Sequence, residues 1–404
     1  MKKIFNLLIY IVVIIYSVEI LLFIFSSDLQ KSLVNIKGKR IEIAKERNLD
    51  FDSRESEVVF FEQKKTIKDL SVPFYYSSLF ADFKTFKKAK KNNEIIPFRG
   101  PINKKTLSCA EDLSYRIIDN DKYGFKNSNS IYDEKIDVIL LGGSFAEGFC
   151  YASDHDIAGN LMQDNIQTLN LGVATTGPLV SLAVLKEFVP NYKTKEVFYL
   201  YYESNSLEVL KWEEKDTRLT RYLNSNYEGN YIKNTKLIKN FLDNIEQESI
   251  EIAKNKALLS QDVKNNEKKN FIKNIQDILE INILKNRLRS FFSTEKKLYN
   301  LKLFTETINE MKKETEKWNG NFTFVYIPSW DRFFNRSSNL HTIINLREEI
   351  VDNLKNQGIN VIDTTDYFSN LQNLKDYYPL GYVGHFNKEG YKKVADILKE
   401  EISN

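Results

Sequence analysis

The chain has 404 residues, with 58 Lys and Arg against 55 Asp and Glu and a formal charge of +3. So even a balance excludes nucleic acid as the main partner, because holding phosphates takes a concentrated basic excess. Hydrophobic residues at 42% exclude disorder as the main state, and two cysteines with three histidines leave no spacing for a zinc or iron–sulfur centre, so neither metal nor cofactor is expected.

In chain order, residues 4–25 (IFNLLIYIVVIIYSVEILLFIF) come first, an apolar run interrupted only by Asn6, Ser17 and Glu19 and of the length a membrane-spanning helix needs. The run follows Lys2 and Lys3, and Phe25-Ser26-Ser27-Asp28 makes a poor cleavage site. The reading is therefore an uncleaved signal anchor in a membrane, with Glu19 near the membrane edge. Lys31, Lys37, Lys39 and Arg40 on the downstream flank compete with the N-terminal lysines under the positive-inside rule, so charge counting leaves the orientation open.

Residues 26–130 read as a juxtamembrane helix and a lead-in. Residues 32–50 predict a charged amphipathic helix, and 51–130 mix short apolar runs with turn signals such as Pro97-Phe98-Arg99-Gly100-Pro101. From 131 to 404 the pattern predicts one α/β domain. Apolar runs at 136–141, 167–171, 196–202, 322–327 and 359–362 read as buried strands with helical stretches between them, which implies a mostly parallel sheet with helices on both faces. A polar, helix-rich stretch at about 208–303 is too long for a crossover and reads as an insertion: a lid, a partner surface or a substrate wall.

In such sheets ligands bind at the carboxyl ends of the strands. The first strand is followed by Gly142-Gly143-Ser144, a tight turn that presents the Ser144 hydroxyl and backbone N–H. The second is followed by Asn170 to Pro178, containing Gly172, Thr175 and Gly177; the third by Glu203-Ser204-Asn205-Ser206; and Gly384-His385-Phe386-Asn387 precedes the terminal helix. A hydroxyl, a turn of backbone amides, a side-chain amide and an imidazole on one edge are the parts of an acyl-transfer site.

The blocks GGSFAEG, NLGVATTGP, YYESN and YVGHFNKEGY resemble those of the SGNH/GDSL hydrolases. Phe51-Asp52-Ser53-Arg54, the Cys109 segment, Asp121 to Phe125 and the N-terminal span resemble the membrane-anchored members found in bacterial surface-polysaccharide gene clusters. The resemblance implies a three-layer α/β/α sandwich with a five-stranded parallel sheet. It also implies Ser144 as nucleophile, His385 as base, and an oxyanion hole from Ser144, Thr175 and Asn205. The chain departs from the family at Gly143 and Ser206, where aspartates are usual, and at Thr175, where glycine is usual. Tyr382 stands three residues before His385, in place of the aspartate that orients the imidazole, so either a dyad operates or Asp376 or Glu203 substitutes.

Asp154-His155-Asp156 has the composition of a hard-metal cluster but reads as helix capping, and His341 reads as structural. Cys109 and Cys150 flank the lead-in and the nucleophile turn; in an extracytoplasmic domain a disulfide there ties the two together. Two classes of function follow. One is an acylesterase, or an O-acyltransferase with the same acyl-enzyme, acting on O-acyl, chiefly O-acetyl, groups of a cell-surface glycan. The other is a degenerate domain that binds a glycan or polysaccharide-assembly proteins. Both place the chain in the bacterial cytoplasmic membrane with its domain outside.

Overall fold

The structure is a computed structural model that describes residues 10, 15–19, 36–76, 97–227, 229–261, 299–334 and 341–403. The expected span at 4–25 lies almost wholly outside these residues, and among the described residues no helix is long and apolar enough to cross a membrane.

The lead-in comprises helices α1 (Ile36–Glu46) and α2 (Ser56–Gln63) and five short strands, β1 (Leu70–Ser71), β2 (Phe74–Tyr75), β3 (Arg99–Gly100), β4 (Lys105–Leu107) and β5 (Ile117–Asp119). They pair into two small sheets, β1-β4-β5 and β2-β3. The lead-in is no loose tether, because Phe74, Tyr76, Phe98 and Phe125 join the main hydrophobic core.

The chain then runs through β6 (Val138–Gly142), α3 (Ser144–Glu147), α4 (Ile157–Gln163), β7 (Thr168–Asn170), α5 (Pro178–Phe188) and β8 (Glu196–Tyr202). It continues with α6 (Ser206–Glu213), α7 (Thr235–Gln261), α8 (Leu301–Glu316), β9 (Asn321–Ile327), α9 (Arg347–Asn356), β10 (Asn360–Asp363) and α10 (Lys388–Ser403). The five long-range strands form one sheet in the order β10-β9-β8-β6-β7, with every pair parallel. The expected five-stranded parallel sandwich is present, with strand ends within two residues of those read from the apolar runs.

Both faces of this sheet are covered, which is why its strands read as continuous apolar runs rather than alternations. The period of two survives inside them. Ile139, Leu141, Val197, Tyr199 and Tyr201 face a core shared with α5, α8 and α9, whereas Val138, Leu140, Phe198 and Leu200 face one shared with α4 and α10. Burying each such side chain stabilises the sandwich by roughly 1.5–3 kcal/mol. In α10 the spacing of Tyr391, Val394, Ala395 and Leu398 puts a single apolar stripe on that second core. Of the insertion, α7 lays Ile238, Phe241, Leu242 and Ile245 on the first core.

The sheet order fixes where chemistry can occur. Strand β6 lies between β7 and β8, so the chain leaves β6 to one side and later crosses to the other. The crevice at the carboxyl end of β6 is the topological switch point, the favoured ligand position in open α/β sheets. Ser144 stands there.

Candidate active site

Gly142 makes the turn that aims Ser144. Its φ is 137°, a region closed to other L-residues, and a Cβ would meet the Leu200 carbonyl oxygen at 2.5 Å. Gly143 is the N-cap and Ser144 opens α3, so the serine N–H belongs to the unpaired first turn of a helix. Tyr391 and Phe386 from the far end of the chain share a core with Phe145, which brings the 382–387 loop over this turn.

Two distant parts of the sequence meet here. His385 Nε2 lies 2.8 Å from Ser144 Oγ, across 241 residues of sequence. The imidazole packs beside Phe145 and Phe149, with ring centroids 5.0 and 5.2 Å away. On its other side, Nδ1 lies 3.1 Å from Glu111 Oε2, and the His385 backbone N–H donates to the same oxygen at 2.8 Å. Burial opposes ionisation of Glu111, but the neighbouring His385 and Arg40 and the hydrogen bonds from His385 outweigh it and hold the carboxyl down at about 2. An ionised carboxylate only accepts, so Nδ1 carries the proton and Nε2 is left to accept from the Ser144 hydroxyl.

The carboxylate at Nδ1 is thus neither of the two substitutes considered from sequence. Glu203 is fully buried and committed elsewhere, accepting from Tyr326 Oη at 2.6 Å, Ser329 N at 2.9 Å and Arg332 Nε at 2.9 Å, which ties the ends of β8 and β9 together. Asp376 is exposed and accepts from Asn373 Nδ2 at 2.8 Å. Tyr382 packs edge-on to Trp330. Glu111 went unnoticed because it comes from the lead-in, which has no periodicity to orient it. Its one signal is its place two residues after Cys109. Cys109 and Cys150 form a disulfide. The Cys150 sulfur, a Glu111 oxygen and a His385 ring nitrogen all lie within 4.8 Å of one another, so the bridge closes directly behind the Glu111–His385 pair.

The lead-in supplies more than Glu111. Buried Arg99 donates to Glu147 Oε1 at 2.9 Å, and buried Lys126 donates to the carbonyls of Gly148 and Tyr151 at 2.9 and 2.7 Å. Lys126 also pairs with Asp156 at 2.8 Å, while Asp156 caps α4 by accepting from Gly159 N. Within the Asp154–Asp156 run it is thus Asp156 that caps; His155 is largely exposed. His341 begins a short helix, His341–Ile344.

The second loop is pinned at both ends by carboxylates. Glu147 Oε2 accepts from Ala174 N at 2.6 Å, and Glu213 accepts from Gly177 N and Leu179 N at 2.6 and 2.9 Å. Gly172 N–H goes to Asn170 Oδ1, whose Nδ2 donates to the Ala146 carbonyl, stitching the loop to α3. Burial pushes the Glu213 carboxyl up to about 7 despite those backbone donors. Between the pins Thr175 is exposed with φ 62°, so the turn does demand a positive φ and a β-branched residue bears it. Asn205, exposed at the end of β8, begins α6 without capping it by its side chain.

No protein-family model matches the chain, and no curated protein matches it. Among solved structures it is similar to a protein from Desulfitobacterium hafniense DCB-2 described as lipolytic and of the G-D-S-L family. The identity is 14%, over 66% of this chain and 98% of that one, with a TM-score of 0.35.

Proposed function

We propose that the chain is a membrane-anchored serine ester hydrolase of the SGNH type, acting on O-acyl groups, chiefly O-acetyl, of a cell-surface polysaccharide. One observation carries the reading: the unbroken series Ser144 Oγ, His385 Nε2, His385 Nδ1, Glu111 Oε2, with separations of 2.8 and 3.1 Å at its two polar contacts. A domain kept only for binding has no use for a partly buried, ionised glutamate behind the histidine of such a pair.

In the proposed cycle Ser144 Oγ attacks the acyl carbon as its proton passes to His385 Nε2, and Glu111 supports the imidazolium. The developing oxyanion takes hydrogen bonds from the Ser144 N–H, the Thr175 N–H and the Asn205 side-chain amide. Collapse breaks the ester, the sugar oxygen leaves with the proton from His385, and the acyl group stays on Ser144. Water, deprotonated by the same imidazole, then releases the carboxylic acid. A sugar hydroxyl in place of water makes the same site an O-acyltransferase.

The test is fluorophosphonate labelling of the full-length chain in membranes, with Ser144→Ala and His385→Ala as controls. Labelling of the wild type that both variants lose is the expected result. A folded wild type that does not label sinks the reading. Incubation with an O-acetylated glycan then separates hydrolase from transferase: free acetate marks the first, acetyl carried to an added acceptor sugar the second.

A further inference from the structure

Glu111 has two carboxylate oxygens, and only Oε2 serves His385. The other faces Arg40: Nη2 of Arg40 lies 3.4 Å from Oε1, and the same nitrogen donates to the carbonyl oxygen of Val383 at 2.7 Å. Val383 is two residues before the imidazole. Arg40 therefore bridges the segment that carries the carboxylate and the loop that carries the base, although it belongs to neither.

Three observations make this more than a surface ion pair. Arg40 is only 6% exposed, although it stands in a helix of mixed charge whose other basic residues face outward or sit at its ends. Its Nε is buried with no hydrogen-bond partner, so the guanidinium is held at a desolvation cost that an apolar side chain at the same position would not incur. And Gly384 leaves it room: a Cβ there would stand 2.4 Å from Arg40 Nη2 and 2.9 Å from Glu111 Oε2, so any other residue would disturb both partners at once.

We propose that Arg40 is a positioning residue of the active site, fixing Glu111 against His385 by holding Oε1 and the Val383 carbonyl together. The inference rests on the acyl-transfer reading of Ser144. It makes α1, the first described helix after the expected membrane span, a working part of the relay rather than a spacer. Both contacts run through Nη2 alone, so a lysine ammonium that reaches the same place replaces them in part.

The test is a double-mutant cycle on the full-length chain, read as kcat and KM for p-nitrophenyl acetate and as the fluorophosphonate labelling rate. Arg40→Gln is expected to lower kcat about tenfold with KM unchanged, and to change it less than about twofold when Glu111→Gln is already present, since the two act in series. Arg40→Lys is expected to recover part of the loss. Should Arg40→Gln fail to fold, Arg40→Lys takes its place in the cycle. An equal loss in both backgrounds would mean a merely structural role and overturn the proposal, as would an Arg40→Gln variant with wild-type kcat. An unlabelled wild type would sink the acyl-transfer reading, and this inference with it, before any Arg40 variant is compared.

Discussion

His385 and Glu111 are 274 residues apart in sequence, yet the glutamate accepts from both the ring Nδ1 and the backbone N–H of the histidine through one oxygen. The double contact fixes ring and chain together. Replacing Glu111 by Gln leaves the shape but offers an amide that can present a donor to Nδ1, which favours the wrong tautomer. We expect Glu111→Gln to lower kcat by about 10²- to 10⁴-fold with KM little changed, and Glu111→Asp to retain more. Wild-type kcat in Glu111→Gln would reduce the site to a dyad.

The disulfide predicts a coupling between redox state and activity. The bridge closes a loop over a sequence separation of 41, for which chain entropy gives about 4 kcal/mol of stabilisation. Because Glu111 is two residues from Cys109, Cys150→Ser is expected to cost catalysis as well as stability. Labelling of Ser144 in that variant, measured well below its unfolding temperature, should be slower than in the wild type. An unchanged rate would show that Glu111 keeps its place without the bridge.

Glu213 predicts a loss of stability across neutral pH. Its folded carboxyl is raised from an ordinary value of 4.5 to about 7, so the folded state holds the proton more tightly than the unfolded chain does. The resulting stability is complete below about 4.5 and is lost as pH rises through about 7, amounting at most to about 3 kcal/mol. Thermal unfolding followed from pH 5 to 9 should reveal this component in the wild type and lack it in Glu213→Gln. Parallel curves for the two proteins would refute it.

At Thr175 the positive φ costs on the order of 1–3 kcal/mol, and glycine removes that strain while gaining freedom in the unfolded chain. Thr175→Gly is expected to stabilise the protein by about 1 kcal/mol net and to keep kcat within about threefold, because the backbone N–H is unaltered. A loss of activity beyond tenfold would assign a role to the threonine side chain.

Asn205 is the complementary case. Its side chain is exposed and does not cap α6, so Asn205→Ala should leave the unfolding temperature unchanged. As an oxyanion donor it should nevertheless cost about 10²- to 10³-fold in kcat. Loss of stability without loss of kcat would remove it from the site.

What was legible in the sequence was what a single stretch determines. The buried strands announce themselves because both faces are covered, and each candidate on the catalytic edge follows a strand or precedes the last helix. Ser144 and His385 are read in this way, and the Cys109–Cys150 pair from its flanking of the lead-in and the nucleophile turn. Glu111, Arg40, Glu147 and Glu213 are not, since each acts on an element remote in sequence and, apart from the nearness of Glu111 to Cys109, nothing in its neighbourhood sets it apart from the other acidic and basic residues. Thr175 was recognised as a departure, but its positive φ is a property of the loop as pinned by Glu147 and Glu213.

The lead-in's contributors to the site, Arg40, Arg99, Glu111 and Lys126, precede the nucleophile, whereas His385 follows it by 241 residues. During synthesis the carboxylate, the serine turn and the cysteines all leave the ribosome long before the imidazole does. A nascent chain therefore carries the serine and its carboxylate before it carries the imidazole, and the proposed relay is completed only after residue 385 has been added and its loop packs on Phe145.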